Sequence, residues 1–175
     1  MDNTKELPKR KPTRLKEFDY STCAVYFITI CTQNRKRLLS KITVGEGSPL
    51  PSEPYVQLSD YGEIVDKWIG NISEKYQNVS VDNYVIMPDH VHVLLSVDKN
   101  DGRGNPSPTV DTIVAWLKYQ ATKEINKVRN KAGERIFQRS FYDHIVRNRD
   151  DYRETCKYIF NNPIERYYRE RAETE

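Results

Sequence analysis

Cysteine is scarce here: three residues in a chain of 175. Cys23, Cys31 and Cys156 are scattered and odd in number, so neither a disulfide framework nor a CxxC zinc pattern is present. Long apolar runs are also missing, and none approaches the roughly 20 residues that span a bilayer. The opening stretch MDNTKELPKRKPTR has no apolar signal core. These absences make a reducing, cytoplasmic setting without membrane association the expectation. Charge of one sign is lacking too. With 28 basic against 25 acidic residues the formal charge is +3, which by itself implies no nucleic-acid partner. No internal repeat is visible, and no helix-turn-helix or zinc-finger pattern is present to enter a major groove. Histidine is limited to three positions.

What is there reads as one polar-surfaced domain with a real core, 37% hydrophobic and 30% charged. Residues 1–19 form a basic arm, with Lys5, Lys9, Arg10, Lys11, Arg14 and Lys16 against Asp2, Glu6 and Glu17. Such an arm is either a solvated tail or a DNA contact. The domain proper is expected over 20–165, followed by a charged tail over 166–175.

AVYFITICTQ (24–33) is β-branched and aromatic and reads as a buried strand. TVGEGSPLPSEPY (43–55) reads as a loop. Ser59 can then cap a helix whose apolar stripe is Tyr61, Ile64, Val65, Trp68, Ile69, Ile72 and Tyr76. VSVDNYVIM (79–87) and HVHVLLSV (90–97) are two strands joined tightly through Pro88-Asp89. A loop over 98–108 precedes a long helix from Thr109 to about Lys131, and RSFYDHIVR (139–147) is a fourth strand. Asn148 caps a last helix expected to run from Arg149 to Asn162, where Pro163 ends it. The order β-α-β-β-α-β-α contains the split βαβ arrangement of a ferredoxin-like sheet. The expected fold class is therefore α+β: a four-stranded antiparallel sheet, helices on one face, and a further C-terminal helix.

His90 and His92 sit two apart on a strand, so both imidazoles share one face while Val91, Val93 and Leu95 face a core. Two imidazoles side by side can hold one divalent metal; they can also be two histidines satisfied or solvated separately. In the last helix Tyr152, Cys156 and Ile159 form the apolar stripe, and Tyr158 lies roughly 200° around from Cys156. Asn162, one turn on, shares its face. With 12 tyrosines in the chain, spacing alone does not single out Tyr158. His144 shares a strand face with Tyr142 and Val146, as a core or supporting histidine. Lys118, Lys123 and Lys127, interleaved with Trp116 and Tyr119 on the long helix, fit a nucleic-acid surface or a solvated face.

Three stretches carry a resemblance: YFITICTQNR (26–35), YVIMPDHVHVLL (84–95) and RSFYDHIVRNRDDYRETCKYIFNNP (139–163). Together they resemble the HUH-type single-tyrosine transposases, in the REP-associated branch of the IS200-like superfamily, over roughly residues 20–165. The resemblance implies metal binding by His90 and His92, with Mg²⁺ or Mn²⁺ expected and softer ions compatible with two imidazoles. It places the nucleophile at Tyr158 and a third metal ligand at Asn162, with Asn161 the fallback because Asn162 precedes a proline. It implies cutting and rejoining of single-stranded, hairpin-forming DNA through a 5′-phosphotyrosine. His144 matches a histidine frequent in that branch. A homodimer, with Tyr158 serving either its own or a partner's site, stays open. The competing readings are another HUH nuclease of relaxase or replication-initiator type, a catalytically quiet relative, and a ferredoxin-like nucleic-acid-binding module that does not cut.

Overall fold

The computed structural model describes residues 24–45, 53–98 and 108–173. The basic arm, Cys23 and most of the 98–108 loop lie outside the described residues. The described residues form six strands and three helices: β1 (Ala24–Cys31), β2 (Ser40–Thr43), β3 (Tyr55–Leu58), α1 (Asp60–Lys75), β4 (Val79–Ile86), β5 (His90–Val97), α2 (Val110–Val128), β6 (Tyr142–Val146) and α3 (Arg149–Ala172). A 3-10 turn over Gln33–Arg35 follows β1.

The main sheet has the order β4-β5-β1-β6, antiparallel at each pairing. Leaving aside β2 and β3, this is the ferredoxin-like order expected from the chain. Alternation along each strand divides the residues between two faces. Tyr26, Ile28 and Ile30 of β1 and Val91, Val93 and Leu95 of β5 join Val65, Ile69 and Ile72 of α1 and Ile113, Leu117 and Ile125 of α2 in one buried cluster. The other face of the sheet carries Phe27, Thr29, His90 and His92, and α3 crosses it. Ser59 caps α1 as expected, its Oγ accepting from Gly62 N at 3.2 Å. Among the described residues no helix is long and apolar enough to cross a membrane.

Two expectations are corrected. The stretch read as a loop over 43–55 is flanked by a short hairpin, in which Ser40 pairs with Leu58 and Thr43 with Tyr55. Strands of four residues are too short for alternation to stand out beside Gly, Pro and Ser. The last helix does not stop at Pro163 but continues to Ala172, with Pro163 buried inside it. Proline removes one helical hydrogen bond and crowds the preceding turn. Here Pro163 extends the buried stripe of Thr155 and Ile159, and ionic contacts hold the turns beyond it. Residues 166–172, expected as a tail, are thus helix.

Candidate active site

The site begins with the connection between β4 and β5. Pro88 O accepts from Leu38 N at 2.9 Å and from Leu39 N at 3.0 Å, and Asp89 O accepts from Thr32 N and from Thr32 Oγ1, both at 2.9 Å. This clamp fixes the start of β5, where His90 and His92 are 8% and 4% exposed. Both rings turn to the α3 side, as strand alternation required, and their Nε2 atoms converge at 3.1 Å.

The outer nitrogens are held. His90 Nδ1 lies 2.8 Å from Asp89 Oδ1. An ionised carboxylate can only accept, so His90 Nδ1 carries the proton and His90 Nε2, in the neutral ring, is bare. His92 Nδ1 lies 2.9 Å from Thr29 Oγ1, a group able to donate or accept. His92 Nε2 can therefore carry a proton shared with His90, or be bare as well. In the second arrangement two lone pairs face each other, and a cation between them relieves the repulsion. Burial foremost, then the proximity of His90 and the Arg35 guanidinium, pulls the His92 pKa down to about 3, so the ring is neutral at physiological pH. Burial works to raise the Asp89 pKa, but bonds from His90 and Arg166 prevail and hold it below the usual carboxylate range.

α3 closes the other side. Tyr158 is 45% exposed. Its ring lies edge-on to His92 at 5.3 Å and to Phe27 at 5.8 Å, and Phe27 itself stacks on His92 at 5.1 Å. Asn162 faces the same groove, of about 510 Å³, while Asn161 is exposed and is not among the groove's lining residues. Helical geometry thus persists through Asn162 despite the following proline. Among the described residues no group of three or more His, Cys, Asp or Glu side chains could hold a metal. The two imidazoles with the Asn162 amide oxygen remain a donor set that suits a divalent cation.

Other expected residues lie apart from this groove. His144 is exposed rather than in the core, because it stands opposite Phe27 on the α3 side of the sheet while its neighbour Ile145 faces the core; its Nε2 bonds Asp151 at 3.0 and 3.1 Å. Lys118 turns onto the carbonyls of Gln138, Arg139 and Ser140 at 3.0, 3.4 and 3.1 Å, and burial lowers its pKa to about 8. Lys123 and Lys127 are exposed on α2, in the helical layer on the opposite face of the sheet. The groove instead presents residues that sequence reasoning missed: Thr29, Arg35, Asp89, Tyr142, Arg166 and Arg169. Arg166 and Arg169 continue the helical face of Tyr158 and Asn162, a signal hidden by ending the helix at Pro163.

The chain matches the IS200-like transposase family over residues 20–162. A Haemophilus influenzae protein provisionally named a REP-associated tyrosine transposase is 26% identical, over 86% of this chain and 76% of its own length. An uncharacterised protein of the same organism is 31% identical, over 89% of this chain and 88% of its own. The fold is similar to that of a REP-associated tyrosine transposase solved bound to a REP hairpin, with a TM-score of 0.54 at 18% identity, covering 87% of this chain and 74% of that one. With the match covering the histidine strand and the tyrosine helix as far as Asn162, this chain belongs to the IS200-like transposases.

Proposed function

We propose that this transposase cuts single-stranded DNA with Tyr158 as nucleophile, keeps the 5′ end as a phosphotyrosine, and passes it to another strand. The observation that carries the reading is an exposed tyrosine ring 5.3 Å from the His92 ring of a buried histidine pair, with all three side chains lining one groove. His90, His92 and Asn162 would hold a divalent ion, Mg²⁺ or Mn²⁺. When bound, that ion supplies Lewis acidity to a non-bridging oxygen of the scissile phosphate.

The chain's own residues do the rest. The Tyr158 oxygen attacks phosphorus as its proton passes to solvent. The bond from phosphorus to the 3′-oxygen breaks, and that oxygen leaves as a hydroxyl after taking up a proton. Rejoining reverses these steps with a different 3′-hydroxyl, and no external energy is needed because the ester is conserved. Arg35 and Arg169 give the groove cations for the backbone, and Tyr142, 62% exposed, gives a ring on which an unpaired base can stack. Tyr158 stands beside the His92 of its own chain, which favours a site complete in one molecule. Hairpin-forming repeats are the substrate this reading favours, in keeping with the complex of the structural relative.

Labelled oligonucleotides provide the test. A strand labelled at its 3′ end should become covalently attached to the protein on denaturing gels, and the same strand labelled at its 5′ end should be released. Tyr158→Phe keeps the ring and should abolish the adduct while the protein stays folded. An undiminished adduct would remove Tyr158 from this role and bring forward Tyr152.

A further inference from the structure

α3 has 24 residues and little apolar grip on the domain: its buried positions are Thr155, Ile159 and Pro163. A helix polar over most of its surface is not placed by hydrophobic burial alone. Polar contacts hold it near both ends. Toward its start, Asp151 accepts from Arg147 N at 3.0 Å and bonds His144, and Tyr152 reaches Asp82. Toward its end, Arg166 donates through Nη1 to Asp89 Oδ1 and through Nε to Glu170 Oε1 at 2.7 Å. Glu170 in turn takes both prongs of Arg37, each at 3.0 Å.

Asp89 is the carboxylate that fixes the ring of His90. Its backbone is clamped by Thr32, so it is a rigid post rather than a mobile partner. The side chains of Asp89 and Arg166 are 11% and 20% exposed, which places their contact largely out of water. Arg166 lies one turn beyond Asn162 and about 12 Å along the helix from Tyr158. One carboxylate thus joins the histidine pair to the helix bearing the tyrosine, through an arginine beyond the family match, which ends at residue 162.

We propose that Arg166 is a positioning residue whose bond to Asp89 sets α3 across the histidine pair and holds Tyr158 and Asn162 in reach of it. The proposal rests on the reading of Tyr158, His90 and His92 given above. A competing role is direct contact with a DNA phosphate, since Arg166 also lines the groove. In the free protein, however, Nη1 and Nε are already engaged with Asp89 and Glu170.

The experiment uses the full chain, with Arg166→Gln, Arg166→Lys, Asp89→Asn and the double variant Asp89→Asn/Arg166→Gln. Adduct formation on a hairpin with a single-stranded flank gives kcat and KM. Proton NOEs from the Tyr158 ring to the Phe27 and His92 rings report placement in the metal-free protein. Arg166→Gln should weaken those NOEs and lower kcat by about 10–100-fold with KM unchanged, since a misplacement on the order of 1 Å can cost that much. Arg166→Lys should recover most of the loss, and the double variant should be no worse than the poorer single. The proposal is overturned if Arg166→Gln raises KM and flattens the salt dependence while kcat and the NOEs stay as in wild type. Additive losses in the double variant would overturn it too. Should Arg166→Gln not fold, Asp89→Asn carries the same NOE test, and unchanged NOEs there count against the proposal. If wild type forms no adduct at all, the functional reading fails, while the NOEs still decide whether Arg166 sets the helix.

Discussion

Thr29→Val probes the metal reading at a residue that is not itself a ligand. Valine matches threonine in shape and suits a strand, so the hydroxyl is the principal loss. That hydroxyl lies 2.9 Å from His92 Nδ1, across the strand pair that sets Thr29 opposite His92. One neutral hydrogen bond is worth about 1 kcal/mol net, which in a chain of this size lowers Tm by about 2–4 °C. The effect on metal should be larger. Without the hydroxyl, the His92 ring loses the group that can accept from Nδ1 in the tautomer with Nε2 bare, and losses of about 10–100-fold in affinity accompany removal of such supporting groups. Mn²⁺ titration by calorimetry, with His90→Ala and His92→Ala as references, gives the affinities; melting in chelator gives the stability of the metal-free fold. Thr29→Val should fall between wild type and the two alanine variants in affinity, with a melting loss of only a few degrees. If Thr29→Val binds Mn²⁺ like wild type, support of the metal-binding tautomer by Thr29 is wrong. If the alanine variants also match wild type, the histidine pair is not a metal site.

Gly62→Ala should destabilise the fold by about 1–3 kcal/mol, measured by denaturant unfolding, because an added Cβ would stand 2.0 Å from the backbone carbonyl oxygen of Leu39; a gain in stability from better helix propensity would refute this. Lys118→Met should leave the salt dependence of single-strand binding unchanged, its ammonium being spent on three carbonyls. Arg169→Gln, in the groove, should flatten that log-log slope by about 0.7; the opposite pattern would return Lys118 to the DNA surface. One sequence offered as a hairpin with a flank, as a free strand and as a full duplex should be cut in that order of decreasing rate. A duplex cut as fast as the hairpin would point to a double-strand nuclease.

The main elements were legible because their patterns are local. β-Branched and aromatic composition marked β1, strand-like runs about Pro88-Asp89 marked β4 and β5, and helical spacing marked α1 and α2, with a cap at Ser59 for α1. Period two put His90 and His92 on one face, and the angle from Cys156 put Tyr158 off the expected apolar stripe, of which Ile159 is buried and Tyr152 and Cys156 only partly so, with Thr155 and Pro163 completing the buried side. Pro163 misled because a proline's local penalty is certain, whereas the contacts that outweigh it come from Asp89 and Arg37, far away in the chain. Lys118 looked like a surface cation because sequence does not say that three carbonyls from 138–140 turn toward it.

The sequence by itself determined the ferredoxin-like order of elements and the shared histidine face, since strand and helix periods are set by backbone geometry and residue type; Tyr158 stood out among 12 tyrosines only through the resemblance. Only the tertiary structure decided that these groups share one groove. Thr29 meets His92 across 63 positions and Arg166 meets Asp89 across 77. The first depends on the β1–β5 register and the second on which face of the sheet α3 crosses, choices made by packing and desolvated charge between distant segments and not by any local pattern.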